Sequence, residues 1–206
     1  VQINGNLEII AEDVILTRGY AKTVINEGKE NTVKLTGDID FNYDKATSGT
    51  TVDSSVLINL SNNESFWTGR VLASNDAVGE IPLPSEDPNF NIGSDATGVV
   101  LGLSNGGTWN ATGKSLVNTL AMENGGILNV QSEAPVTIYV GNMSISGQGN
   151  RLTTGASTLD VMGTLTFKDK SELVTTIDSV YVPTYSDENV LTNATAKLDA
   201  EKIYVE

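Results

Sequence analysis

Two aspartates one residue apart, Asp38-x-Asp40, form a strand-spaced carboxylate pair. On an extended chain residues i and i+2 share a face, so both carboxyl groups would point the same way. Polysaccharide-acting enzymes use such neighbours as general acid and base, or to hold charge, with Lys, Arg or His close by. Arginine occurs here only at Arg18, Arg70 and Arg151, and spacing alone brings none of them to the pair. A solvated acidic surface therefore outweighs a catalytic dyad, and no catalytic residue is assigned.

A second cluster, Asp87-Pro-Asn-Phe-Asn-Ile-Gly-Ser-Asp95, alternates oxygen-bearing side chains before a glycine. Calcium loops use that alternation because a hard cation needs several oxygens converging on one point. Here the glycine falls one place late, Pro88 interrupts and no Glu closes the loop, so an Asx-rich turn is the better reading. No metal ligand and no cofactor is assigned. Trp67 and Trp109 are candidates for stacking on sugars, but their matched places in a repeat favour packing at a corner of the fold. The sequons at Asn63, Asn110, Asn142 and Asn193 would matter only in a eukaryotic secreted protein.

What is missing narrows the chemistry further. The 206 residues contain neither Cys nor His, which removes disulfides, thiol nucleophiles, the commonest general base and every Ser-His or Cys-His triad. Twelve basic against 26 acidic side chains leave a net charge of −14 without any concentrated block. Nucleic acid and anionic lipid are met by clustered Lys and Arg, so neither is an expected partner. At 39% apolar and 18% charged the chain reads as folded and water-soluble, with length enough for its own core. Val1 opens it without Met and leads almost at once into Asn6-Leu-Glu-Ile-Ile10, so a piece of something longer is expected.

The elements that must position any site are strands. Apolar residues alternate with period two from end to end: Val56, Ile58 and Leu60; Val99, Leu101 and Leu103; Leu120 and Met122; Leu128 and Val130; Val136, Ile138 and Val140; Leu159, Val161, Leu165 and Phe167, with Gly163 in the missing place. No segment of helical length shows three-and-four spacing. Asn105-Gly-Gly107, Asn124-Gly-Gly126 and Gly147-Gln-Gly-Asn150 supply turns between the runs. The fold class is all-β.

Repetition chooses between a sandwich and a parallel solenoid. Ser55-Val-Leu-Ile-Asn-Leu60, followed by Ser-Asn and later Trp67, returns as Gly98-Val-Val-Leu-Gly-Leu103, Ser-Asn and Trp109, the two Leu-Ser-Asn triplets lying 43 residues apart. A fixed period is expected of stacked coils, and 43 residues would be two coils of roughly twenty each. Residues 43–52 and 74–98, the latter with Pro82, Pro84 and Pro88, break the rhythm and read as loops thrown outward.

The run 106–130 is similar to the coil signature of autotransporter passenger domains of the pertactin kind, in which a Trp-x-x-x-Gly turn precedes a Ser, a strand and a Gly-Gly turn. Trp109, Gly113, Ser115, Leu120, Met122, Gly125 and Gly126 fill those places, and Trp67 with Gly69 fits more loosely. Residues 149–163 and 194–206 resemble the folding-nucleus region that precedes the membrane barrel in that family. The resemblance implies a right-handed parallel β-helix fragment: coils over 1–132, then C-terminal coils and an autochaperone-like β cap over 133–206. It further implies display at the surface of a Gram-negative bacterium after export through the outer membrane, with a C-terminal membrane barrel in the full-length protein. The expected role is a non-enzymatic adhesin or stalk segment whose loops meet a host cell-surface or matrix molecule, or a neighbouring cell. A polysaccharide-acting β-helix enzyme and a passive spacer are the alternatives, and no binding residue is singled out.

Overall fold

The period-two runs become strands whose apolar side chains stack on those of the next strand. In a computed structural model, residues 1–17, 21–42, 55–75, 79–80, 98–168, 170–175 and 197–205 are described. Among them β-strand is the only regular structure, in two sheets. The first sheet contains β1 (Gln2–Ile3), β3 (Lys22–Ile25), β5 (Ser55–Leu60), β9 (Gly98–Ser104), β11 (Ser115–Glu123), β13 (Thr137–Ser146), β15 (Thr158–Lys168) and β17 (Lys197–Val205), in that order. The second contains β2 (Leu7–Leu16), β4 (Val33–Asn42), β6 (Phe66–Gly69), β10 (Thr108–Ala111), β12 (Ile127–Val130), β14 (Asn150–Thr153) and β16 (Leu173–Thr175). β7 (Val71–Asn75) continues β6 along the second half of β4 and carries β8 (Gly79–Glu80).

Among the described residues every pairing is parallel except β7 with β8. The chain alternates between the sheets, adding a strand to each on every circuit, so spatial order follows chain order. Parallel neighbours cannot be joined by a two-residue hairpin, and the crossing to the other sheet supplies the connection they require.

The 43-residue interval is one circuit and not two. Ile58 pairs directly with Leu101 and Leu60 with Leu103, so the repeat marks adjacent strands. The interval is long because the excursion between β7 and β9 adds a circuit's length of chain without adding a layer. Farther on, Leu101, Leu120, Met143 and Leu165 follow one another in register at steps of 19, 23 and 22 residues.

The core lies between the sheets. Val56, Ile58, Leu60, Val99, Leu101, Leu103, Leu120, Met122, Leu159, Val161 and Leu165 are fully buried in a single cluster. Each such side chain contributes roughly 1.5–3 kcal/mol by leaving water. The long strands bend at polar corners: register shifts fall between Val140 and Met143 and between Val161 and Thr164. Asn142 Oδ1 fills the corner by accepting the Thr164 N–H at 3.1 Å. The Asn-Gly turns need positive φ at both residues, and Asn105 (51°) with Gly106 (90°) and Asn124 (46°) with Gly125 (91°) adopt it.

Of the loops expected from sequence, 43–52 lies outside the described residues. Within 74–98, residues 74–75 extend β7, residues 79–80 form β8 and Gly98 opens β9, while the remainder lies outside them.

Candidate functional site

Asp38 and Asp40 do share the outer side of β4, each half-buried, because Ile39 and Phe41 between and beyond them point into the core. The bend in β4 places Asp38 beside the strand that follows one circuit later. There Arg70 donates its backbone N–H to Asp38 Oδ1 at 3.1 Å and its Nε–H to Oδ2 at 2.9 Å. Both carboxylate oxygens are thus engaged by one residue, with side chains 23% and 42% exposed. The Arg70 stem continues over Gly113, where an added Cβ would lie 3.0 Å from Cδ.

Sequence spacing missed this cation because it lies 32 residues away. The signal was present in the alignment of Gly37-Asp38-Ile39 with Gly69-Arg70-Val71, which the register bears out through Ile39 and Val71. The arrangement ties adjacent circuits together by a charge-assisted contact. Asp38 is thereby committed to a contact between adjacent strands. Among the described residues, no group of three or more carboxylates is placed to hold a metal ion. The 87–95 cluster and Asn193 lie outside the described residues.

Trp67 and Trp109 have no exposed surface, so sugar stacking on them is overturned in favour of packing. They are register partners in β6 and β10. Each indole N–H donates to a glycine carbonyl one circuit back: Trp67 to Gly37 at 2.8 Å and Trp109 to Gly69 at 3.0 Å. Of the three described sequons, Asn63 is exposed on a turn beside Gly106, whereas Asn110 bonds Thr68 and Asn129 across strands and Asn142 accepts the Thr164 N–H at its corner.

Several polar residues passed over in the sequence hold the turns. Asn26, fully buried, donates to Asn31 O, Asn59 O and Ser61 Oγ and accepts the Asn31 N–H. Asn59 returns the bond by donating to Asn26 O at 3.1 Å. Ser115, in the signature run, accepts the Val71 N–H and donates to Gly113 O.

The excursions 43–54 and 76–97 have matched anchors. Asn42 pairs with Ser74 where they depart, and Ser55 pairs with Gly98 where they return. Both therefore leave from, and come back to, adjacent layers of the same corner. Comparison with protein-family models, with curated proteins and with solved structures finds no match to this chain.

Proposed function

We propose that the chain is a non-enzymatic segment of a surface-displayed, autotransporter-like adhesin. In this reading the circuits are coils of a right-handed parallel β-helix, the hand being that of nearly all parallel crossover connections. Residues 133–206 supply its last coils and an autochaperone-like cap. The full-length protein would carry a C-terminal membrane barrel and reach the cell surface through the outer membrane. Its partner would be a host cell-surface or matrix molecule, or the same protein on a neighbouring cell.

The observation that supports a binding role is the matched anchoring of the two excursions. The residues that flank the two insertions are register partners on neighbouring strands, Asn42 with Ser74 and Ser55 with Gly98, and insertions carried on a scaffold of paired strands are where binding usually resides. The contact of Asp38 with Arg70 favours a structural role for that carboxylate, since both its oxygens tie adjacent layers together. The test is removal of residues 81–97 from the parent protein, with a short Gly-Ser link retained between Glu80 and Gly98. Attachment to cells or matrix should fall while the β-sheet circular dichroism is kept. Unchanged attachment would take the binding role away from that insertion.

A further inference from the structure

We infer that Asn4-Gly5 is a self-modification site, where the chain converts an asparagine to aspartate and isoaspartate with water as co-reactant, while the stacked layers hold its other Asn-Gly pairs unreactive. It is independent of the adhesin reading. The other pairs are Asn105-Gly106 and Asn124-Gly125. Asparagine is among the thermolabile residues, and a following glycine has no Cβ to hinder attack by its own nitrogen.

In the reaction Gly5 N gives up its proton and its electron pair forms a bond to Asn4 Cγ. The Cγ–Nδ2 bond breaks, and the amide nitrogen takes up a proton and leaves as ammonia. Water then opens the cyclic imide. Breaking the bond from nitrogen to Cγ restores the ordinary link with an aspartate side chain. Breaking the bond from nitrogen to the main-chain carbonyl carbon leaves isoaspartate, in which the chain runs through Cβ and Cγ.

Conformation decides which pair can take the first step, because the glycine nitrogen must lie on the same side of the Cα–C bond as Cβ. Asn105 and Asn124 have φ of 51° and 46°. In that left-handed region ψ is about +47°, which turns the following nitrogen to the side opposite Cβ. Backbone bonds lock both turns there: the Asn105 N–H donates to Asn124 O at 3.0 Å, the Gly106 N–H to Gly125 O at 3.1 Å and the Asn124 N–H to Ser146 O at 3.0 Å. Reaction at either pair requires layers to part.

The first turn differs on each count. Asn4 is exposed and does not have positive φ. Neither its side-chain amide nor the Gly5 N–H has a hydrogen-bond partner among the described residues. A Cβ added at Gly5 would meet nothing within 4 Å, so the turn has room to rotate. The product has a readable consequence, because isoaspartate lengthens the link between β1 and β2 by one main-chain atom. β1 is held through Val24 N–H to Val1 O at 2.8 Å and Asn26 N–H to Ile3 O at 2.9 Å. Both amides lose protection when β1 loosens.

The experiment incubates the whole chain in mildly alkaline buffer, with and without urea, and follows each pair by peptide mass mapping with isoaspartate-specific methylation. In the folded chain products should form at residue 4 at least about tenfold faster than at 105 or 124, since a turn that must open first is slowed by its opening equilibrium. In urea the three rates should converge. Gly5→Ala has space for its methyl group, should keep the circular dichroism of the parent, and should slow residue 4 by about tenfold. Hydrogen exchange should show the Val24 and Asn26 amides less protected in the isoaspartyl chain and unchanged in Asn4→Asp, which carries the charge without the longer link. The inference is overturned by equal rates at the three pairs in the folded chain, by product at 105 or 124 ahead of 4, by a Gly5→Ala rate equal to the parent's, or by full protection of both amides in the isoaspartyl chain.

Discussion

The rings of Trp67 and Trp109 lie face to face in adjacent layers, centroids 5.0 Å apart and planes 2° from parallel. The separation is that of two parallel strands, so the stack follows from the register and not from a local choice of rotamer. Because the indoles also donate to Gly37 and Gly69, ring packing and hydrogen bonding fix the same two layers. Trp109→Ala should destabilise the chain by about 3–5 kcal/mol in urea unfolding. A cycle with Trp67→Ala should reveal coupling of about 1 kcal/mol between the pair. Additive losses would show that the two layers do not share this contact.

Gly69 carries the companion constraint. A Cβ there would stand 2.0 Å from Gly37 O and 2.7 Å from Trp67 Nε1, and neither backbone nor buried indole has room to withdraw. Gly69→Ala is expected to cost about 1–3 kcal/mol. Gly113→Ala meets only the flexible Arg70 stem at 3.0 Å and should cost less. Thermal unfolding of the two variants side by side checks the order, and a reversed order would refute the close approach.

The Asp38–Arg70 contact is half-exposed, so its strength lies nearer that of a surface pair than a buried one. Arg70→Ala should lower stability by about 1 kcal/mol or less, and moderate salt should shrink the difference. Asp38→Ala removes in addition the acceptor of the Arg70 N–H and should cost more than Arg70→Ala. Salt titration of the chemical unfolding midpoints measures both effects.

The layers were legible in the sequence because a half-buried strand writes its burial as alternation: Val56, Ile58 and Leu60 are buried as their spacing foretold. The size of a circuit was not, since the insertion before β9 stretched one layer to the length of two. Nor was the Asp38 partner, because strand register brings together residues that no short spacing connects. Leu116 and Tyr139 are register partners buried outside the main core cluster. They sit on the side where alternation calls for polar residues, and nothing in the pattern marked them. Turn asparagines read as conformational punctuation, while their side-chain bonds to other layers became visible only once the layers were stacked.

Asn26 gives the sharpest test of those turn bonds. It has positive φ (56°), no exposed surface, and side-chain contacts that reach both its own turn and the next layer at Asn59 and Ser61. Asn26→Leu is close in volume yet strips the Asn31 N–H and the Asn59 carbonyl of a partner, each buried loss costing about 1–3 kcal/mol. A β-carbon branch tolerated poorly at positive φ adds nothing here, because Leu is unbranched at Cβ, so the deficit measures the hydrogen bonds with a modest backbone contribution. Asn26→Asp keeps the acceptor for Asn31 and loses the three donated bonds, placing a buried carboxylate against carbonyl oxygens. It should therefore be destabilised at neutral pH and partly recover on acidification, as protonation restores one donor. Urea midpoints at neutral and mildly acidic pH decide the matter: an Asp variant whose deficit relative to the parent chain is independent of pH would mean that the turn opens to water.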